Sequence, residues 1–318
     1  MIECYGGIDL GGSFIKAGLL TSIGETLEKI IVPSRVDAGI AALKENLNQI
    51  GHKLIEISEK HQIKLSGIGI GSPGTIQFPE GIVTGATPNI PGWIGTNISA
   101  IFGDFKCPIA ADNDANCMGL AEALFGSGKG TKNGFYLTLG TGIGGSIIIN
   151  DQLMRGASYC AGEFGHTILK YGGAKCKTGR RGCLEYYVAA PALVRAAKKY
   201  ASKDRKSKLS IKGVTIEPKT IFASFNSGDS AASKAVEENA AMLGAAIGSV
   251  VNLLNPEVVV IGGGLSLGGK KYINLVRKHV FEFAFESTTS RLKIETAKFG
   301  NEAGWIGAAC LNIPRKEP

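Results

Sequence analysis

The chain opens on short apolar runs rather than on helical spacing. Residues 4–9 and 14–20 are such runs, parted by Gly11 and Gly12, and Ser22-Ile23-Gly24-Glu25 turns the chain into a third. Apolar runs of this length bounded by glycine predict strands, so the start reads as an antiparallel meander. From about residue 38 to 60 the period changes, and Leu43, Leu47, Ile50, Leu54 and Ile57 fall on one stripe of a long amphipathic helix. A buried strand over 65–71 follows, then a loop rich in Pro and Gly over 72–93, a short helix and a strand over 108–111. Asn113 and Asp114 stand where a helix over 115–125 needs its cap.

The pattern then begins again. A strand over 134–139, the turn Gly140-Thr141-Gly142 and a strand over 143–150 repeat the strand, glycine turn, strand order of the start. A loop region over 151–187 leads to helices near 191–200 and 230–254. A strand over 257–261 ends in Gly262, Gly263 and Gly264, and a helix (271–283), a strand (292–297) and a last helix (302–311) complete the chain. Two similar halves predict an α/β fold of two similar domains with a ligand cleft between them. The expected boundaries are residues 1–114 plus the returning C-terminal helix 303–318 for the first domain, and 115–302 for the second.

Composition narrows the function classes. At 318 residues two domains can each bury a core. No run approaches the ~20 apolar residues of a membrane span, and no secretory signal precedes the first strand, so a soluble, cytoplasmic protein without a membrane partner is expected. The seven cysteines are odd in number and thinly spread, which predicts reduced thiols rather than a disulfide framework. The net charge of +8 is scattered, with local excess only over 198–208 and at Arg315 and Lys316. That reads as a solvated basic surface compatible with a polyphosphate substrate, and not as a nucleic-acid footprint.

The glycine turns carry the first chemical signal. Gly11-Gly12-Ser13 and Gly140-Thr141-Gly142-Ile143-Gly144-Gly145 occupy the corresponding hairpin of each half. Glycine lets a backbone approach a ligand and turn its N–H groups toward it, while Ser13 and Thr141 add hydroxyl donors, so the pair predicts a cradle for nucleotide phosphates. Asp9, at a strand end beside the first turn, is a hard oxygen ligand for Mg²⁺. Lys16 on the next strand joins this nucleotide set, and Gly263 and Gly264 fit close approach of an adenine or ribose. A Walker A sequence and a Gly-x-Gly-x-x-Gly after the first strand are both absent, which removes the P-loop and Rossmann readings.

Taken with Asn113-Asp114-Ala115-Asn116, Gly162-Glu163-Phe164-Gly165-His166 and Gly182-Cys183-Leu184-Glu185, these turns resemble the ROK family of sugar kinases and repressors, within the actin, hexokinase and heat-shock chaperone superfamily. The resemblance covers essentially the whole chain. It implies two actin-like (ribonuclease H-like) domains, a homodimer, and phosphoryl transfer from ATP·Mg²⁺ to a sugar hydroxyl. A carboxylate must then accept the hydroxyl proton; the residues alone leave Asp112 and Asp114 open, and the family motif selects Asp114. Sugar recognition falls by the same resemblance to Asn89, Asn113, Asp114, Glu163, His166 and Glu185. Glucose phosphorylated at the 6-hydroxyl is the expected reaction, with N-acetylmannosamine or another N-acetylhexosamine as the alternative acceptor. The repressors of the family carry a winged-helix segment ahead of the first strand, for which the eight residues before Asp9 leave no room.

Many family members hold a structural zinc with the His of the Gly-His motif and three cysteines. Here Thr178 stands at the middle cysteine position, which leaves His166, Cys176 and Cys183, with water or a displaced Cys160 as fourth ligand. A neutral hydroxyl is a poor substitute for thiolate, so any zinc is expected to be held more weakly than usual.

Overall fold

The computed structural model describes residues 3–85 and 89–314; residues 86–88 of the expected Pro/Gly loop and the basic tail at Arg315 and Lys316 lie outside it. The opening meander is β1 (Glu3–Leu10), β2 (Phe14–Thr21) and β3 (Thr26–Pro33), followed by α1 (Ile40–Lys60) and β4 (Lys64–Ser72). Leu43, Leu47, Ile50, Leu54 and Ile57 of α1 are all buried, in one cluster with Ile8, Leu10, Ile68 and Ile70 of the strands. The Pro/Gly loop contains a hairpin, β5 (Thr75–Gln77) and β6 (Ile82–Gly85), whose strands are too short to announce themselves by periodicity. Then come β7 (Ile109–Asn113) and α2 (Asp114–Leu124).

The second half runs β8 (Gly134–Leu139), β9 (Ile143–Ile149), β10 (Gln152–Met154), α3 (Leu184–Val188), α4 (Ala190–Ala201), α5 (Pro218–Asn226), α6 (Ser230–Leu254), β11 (Val258–Gly262), α7 (Gly269–Phe283), α8 (Glu286–Thr289), β12 (Lys293–Thr296) and α9 (Ala303–Ala309). Of these, β10, α3, α5 and α8 have no counterpart in the sequence pattern. α5 starts at Pro218, whose fixed φ suits a first helical turn, but its apolar stripe is only Ile221 and Phe222. The five-stranded sheets have the orders β3-β2-β1-β4-β7 and β10-β9-β8-β11-β12. In each, antiparallel strands at one edge pass into a parallel set, β1/β4/β7 in one and β8/β11/β12 in the other. The repeat seen in the sequence is a repeat of sheet topology.

Packing groups the chain into Met1–Gly130, Ser146–Ala161 and Lys298–Pro318 as one unit, and Thr131–Gly145 and Gly162–Ala297 as the other. Helix α2 belongs with the first unit, beyond the boundary expected at Asp114, because it packs on α9. Glycines make that packing close. A Cβ on Gly307 of α9 would overlap the Cys117 carbonyl of α2, and a Cβ on Gly69 of β4 would overlap the carbonyl of Ala308. Overpacking costs about 1–3 kcal/mol, while alanine returns about 1 kcal/mol of helix propensity. Since a helix carbonyl cannot yield, Gly307→Ala is expected to lose about 2 kcal/mol net, read as a lower urea midpoint at unchanged m-value.

Candidate functional site

In the first unit the turn between β1 and β2 closes with the Gly11 N–H donating to the Phe14 carbonyl (3.1 Å). Ser34 pins it from the side, its hydroxyl donating to the Gly12 carbonyl (2.6 Å) and its N–H to the Ser13 carbonyl (2.9 Å). Gly12 and Ser13 are exposed, and space around Gly12 is open within 4 Å of where a Cβ would stand. A held turn with open space over its backbone can accept a ligand without rearranging. Asp9 lies opposite Lys16 in the β1–β2 register, and Lys16 Nζ donates to the Asn301 carbonyl (2.8 Å). Gly304 of α9 seats on the Asp9 carboxyl, where a Cβ would come within 2.5 Å.

Strand β7 delivers Asp112, Asn113 and Asp114 to the start of α2. Asn113 is the N-cap: its Oδ1 accepts from the N–H groups of Ala115 (2.9 Å) and Asn116 (3.3 Å), and its Nδ2 donates to the Gly74 carbonyl (3.0 Å). The side chain expected to bind substrate is thus engaged on both its oxygen and its nitrogen by the fold. Asp112 is 1% exposed, and both its oxygens are taken. Oδ1 accepts from the Asn113 N–H (2.7 Å) and Asn116 Nδ2 (2.8 Å), and Oδ2 accepts from Arg155 Nε (2.7 Å). Asp114 opens the helix in its first turn, where the helix dipole favours a carboxylate.

Three carboxylates act on one buried thiol. Burial raises the Cys117 thiol well above its usual range, and the charges of Asp112, Asp9 and Asp114 raise it further. Asp9 itself is pushed up to about 6, first by burial and then by the charge of Asp114, against an opposing pull from Lys16. Asp9 is the residue that could hold a divalent cation, which would offset the charge of Asp114 and keep water and phosphate as its other ligands, as Mg²⁺ does. Asn89 is exposed.

In the second unit the turn after β8 is built from Gly140, Thr141 and Gly142. The Gly140 N–H donates to the Gly142 carbonyl (2.9 Å), and the Ala190 N–H at the start of α4 donates to the Gly140 carbonyl (2.9 Å). Thr141 is exposed, Gly144 is half-buried, and no atom stands within 4 Å of a Cβ built on Gly140 or Gly264. Gly263, at φ 80°, lies so close to the Leu139 backbone that a Cβ would sit 2.5 Å from its carbonyl oxygen; only glycine fits. Glu185, on α3, accepts from the Ile143 N–H through Oε2 (3.0 Å), and the same oxygen would lie 2.7 Å from a Cβ on Gly142. The residue expected on the sugar thus rests against the glycine turn over 140–142. His166 Nε2 lies 3.7 Å from Glu163 Oε2 on a short 3₁₀ turn, and the Nδ1 of His166 is buried without a partner.

The expected zinc ligands are not assembled among the described residues. Cys176 and Cys183 are bonded to each other, while the other described cysteines remain thiols, as expected of most of them, so neither of the pair offers a thiolate beside His166. Cys160, the candidate fourth ligand, packs in the first unit, its Sγ 3.3 Å from Thr75 Oγ1. Among the described residues no group of three or more His, Cys, Asp or Glu could hold a metal ion. A disulfide with Thr178 in the middle position replaces the ligand set that a structural zinc needs.

The ROK family model matches residues 5–314. The chain belongs to the ROK family. This ROK protein is 35% identical over 312 residues to the glucokinase of Halalkalibacterium halodurans, covering 96% of this chain and 94% of that one. Among solved structures, the ROK hexokinase of Thermus thermophilus superposes with a TM-score of 0.81 at 31% identity, over 96% of this chain and 97% of that one. The ROK glucokinase of Streptomyces griseus, solved with glucose and AMPPNP, superposes with a TM-score of 0.79 at 29% identity, over 98% and 99%. The paired sheets of this ROK protein are accordingly those of the actin-like ATPase superfamily. Sequence reasoning missed Arg155, which lay in a stretch read as loop. A signal for it was present: two aspartates flanking Asn113 at a strand end call for a cation somewhere.

Proposed function

We propose that this ROK protein is a sugar kinase that transfers the terminal phosphoryl group of ATP to a hexose, foremost glucose at its 6-hydroxyl, with Asp114 as general base. The observation that carries the assignment is the division of labour between the two candidate aspartates. Every oxygen of Asp112 is committed to the fold, whereas Asp114 stands at the helix start beside Asp9. A guanidinium and two N–H donors on Asp112 suit a carboxylate that holds the fold together, and the family motif points to Asp114 as the group that accepts the hydroxyl proton.

Asp9 would hold Mg²⁺, directly or through water, and the ion supplies charge neutralisation on the phosphates when bound. The turns at Gly11-Gly12-Ser13 and Gly140-Thr141-Gly142 offer backbone N–H groups and hydroxyls to phosphate oxygens. Lys16 adds a charge, and Gly144, Gly263 and Gly264 permit close approach of the nucleotide. Asn89, Asn113, Glu163, His166 and Glu185 serve sugar hydroxyls, which suits amides and carboxylates because each takes two. The glucokinases among its relatives support glucose as the acceptor.

Coupled ADP release with Mg²⁺·ATP against glucose, mannose, fructose, allose, N-acetylglucosamine and N-acetylmannosamine tests this reading. Turnover on glucose at the highest kcat/KM is expected. A preference for an N-acetylhexosamine would overturn the choice of sugar, and no turnover from folded protein would overturn the kinase.

A further inference from the structure

We infer that Arg155 is a positioning residue for the phosphoryl transfer, clamping the strand end that carries Asp114; the inference rests on the kinase reading above. Arg155 is immobilised from two directions. Its Nε donates to the buried Asp112 Oδ2 (2.7 Å), and its guanidinium lies 3.7 Å over the centre of the Phe78 ring. The arginine side chain is 19% exposed and the aspartate 2%, so the pair is screened far less than a surface ion pair. A guanidinium fits both contacts, since it stacks flat on an aromatic face while donating in its plane.

The clamp reaches Asp114 through short, direct bonds. Asp112 Oδ1 takes the Asn113 N–H and the Asn116 side-chain amide, so one carboxylate fixes residues on both sides of Asp114. Asn113 ties the same triplet to Gly74, four residues before Phe78. Arg155 also closes its own loop, its carbonyl accepting from the Ala161 N–H (2.9 Å), two residues before Glu163. Without the guanidinium, Asp112 becomes an unpaired buried charge in a cluster that already holds Asp9 and Asp114. The strand end then relaxes toward water, and the attack geometry set by Asp114 goes with it.

The test compares Arg155→Ala, Arg155→Lys and Asp114→Asn with the unaltered protein. Displacing a catalytic group by about an ångström costs on the order of 10²-fold, so Arg155→Ala is expected to lower kcat by about 30- to 100-fold, with the KM for Mg²⁺·ATP within about 3-fold. Arg155→Lys keeps the charge without the fork and is expected to recover about 10-fold of that loss. Hydrogen exchange of a peptide spanning residues 110–118 gives a readout independent of turnover. It should quicken by about 10-fold or more in Arg155→Ala while α1 is unchanged. Should the alanine variant not fold, the lysine variant decides by the same two measurements. Unchanged kcat together with unchanged exchange overturns the inference. Full activity in Asp114→Asn, or none in the unaltered protein, instead overturns the kinase reading, and the exchange result then stands on its own.

Discussion

Asp114→Asn is expected to lower kcat for the preferred sugar by about 10³-fold, within the 10²- to 10⁴-fold range of a lost general base. The protein should stay folded. Asparagine keeps the shape and the oxygen that accepts the Ala115 N–H (2.9 Å), and removing the charge relieves Asp9, which Asp114 pushes up. The KM for Mg²⁺·ATP should change little, so the loss falls on the chemical step. Asp112→Asn offers the contrast. It strips Arg155 of its buried partner, and a broken buried pair costs about 3–5 kcal/mol, so that variant should lose stability as well as rate. Coupled assays and urea melts on the two variants separate the roles. If Asp112→Asn abolished turnover in a fully stable protein while Asp114→Asn kept it, the base would be Asp112.

Much of the fold was legible because its elements obey simple periods. The stripe of α1 and the apolar runs of β1, β4 and β11 are long enough for the pattern to speak, and all bury as expected. The repeated strand, glycine turn, strand order announced two like sheets. What escaped was held by tertiary contacts instead of local pattern. α3 spans only Leu184–Val188, and β5 and β10 have three residues each, so they exist because neighbours complete them. The segment Ser146–Ala161 groups with the first unit even though its residues in β9 and β10 are hydrogen-bonded into the second sheet, and no composition shift marks either end.

The site divides along the same line. Glycines at Gly11, Gly12, Gly140 and Gly263 are readable because a backbone that must approach something leaves few choices of residue. Asp112 and Asp114, two residues apart and chemically identical, differ only in partners brought from residues 116 and 155, which no local spacing encodes. Glu185 shows the converse. A motif places it on the sugar, and its hydrogen bond from the Ile143 N–H also ties it to the glycine turn after β8, a relation visible only once α3 and β9 are side by side. The cysteines failed as a zinc signal because Cys176 and Cys183 find each other.

Asp9→Asn is expected to make the free protein more stable at neutral pH while lowering kcat/KM for Mg²⁺·ATP by about 10³-fold or more, the scale set when a phosphate-clamping charge is lost. The sign follows from linkage. Asp9 is raised in the folded state from 3.8 to about 6, so the native protein binds the proton more tightly than the unfolded chain, and stability falls as pH rises through that window. At 1.36 kcal/mol per unit, the cost is about 1 kcal/mol at pH 4.5 and about 3 kcal/mol at pH 7.5. Asparagine does not titrate, so the gain in unfolding free energy should be larger at the higher pH and should shrink on acidification. Mg²⁺ with a non-hydrolysable ATP analogue should reverse the ranking, because a cation held on Asp9 offsets the repulsion that asparagine relieves. Thermal midpoints with and without that ligand, at both pH values, read all of this in one series. A variant less stable than the parent at pH 7.5 would mean that Asp9 is held by a partner and is no strained ligand awaiting a cation.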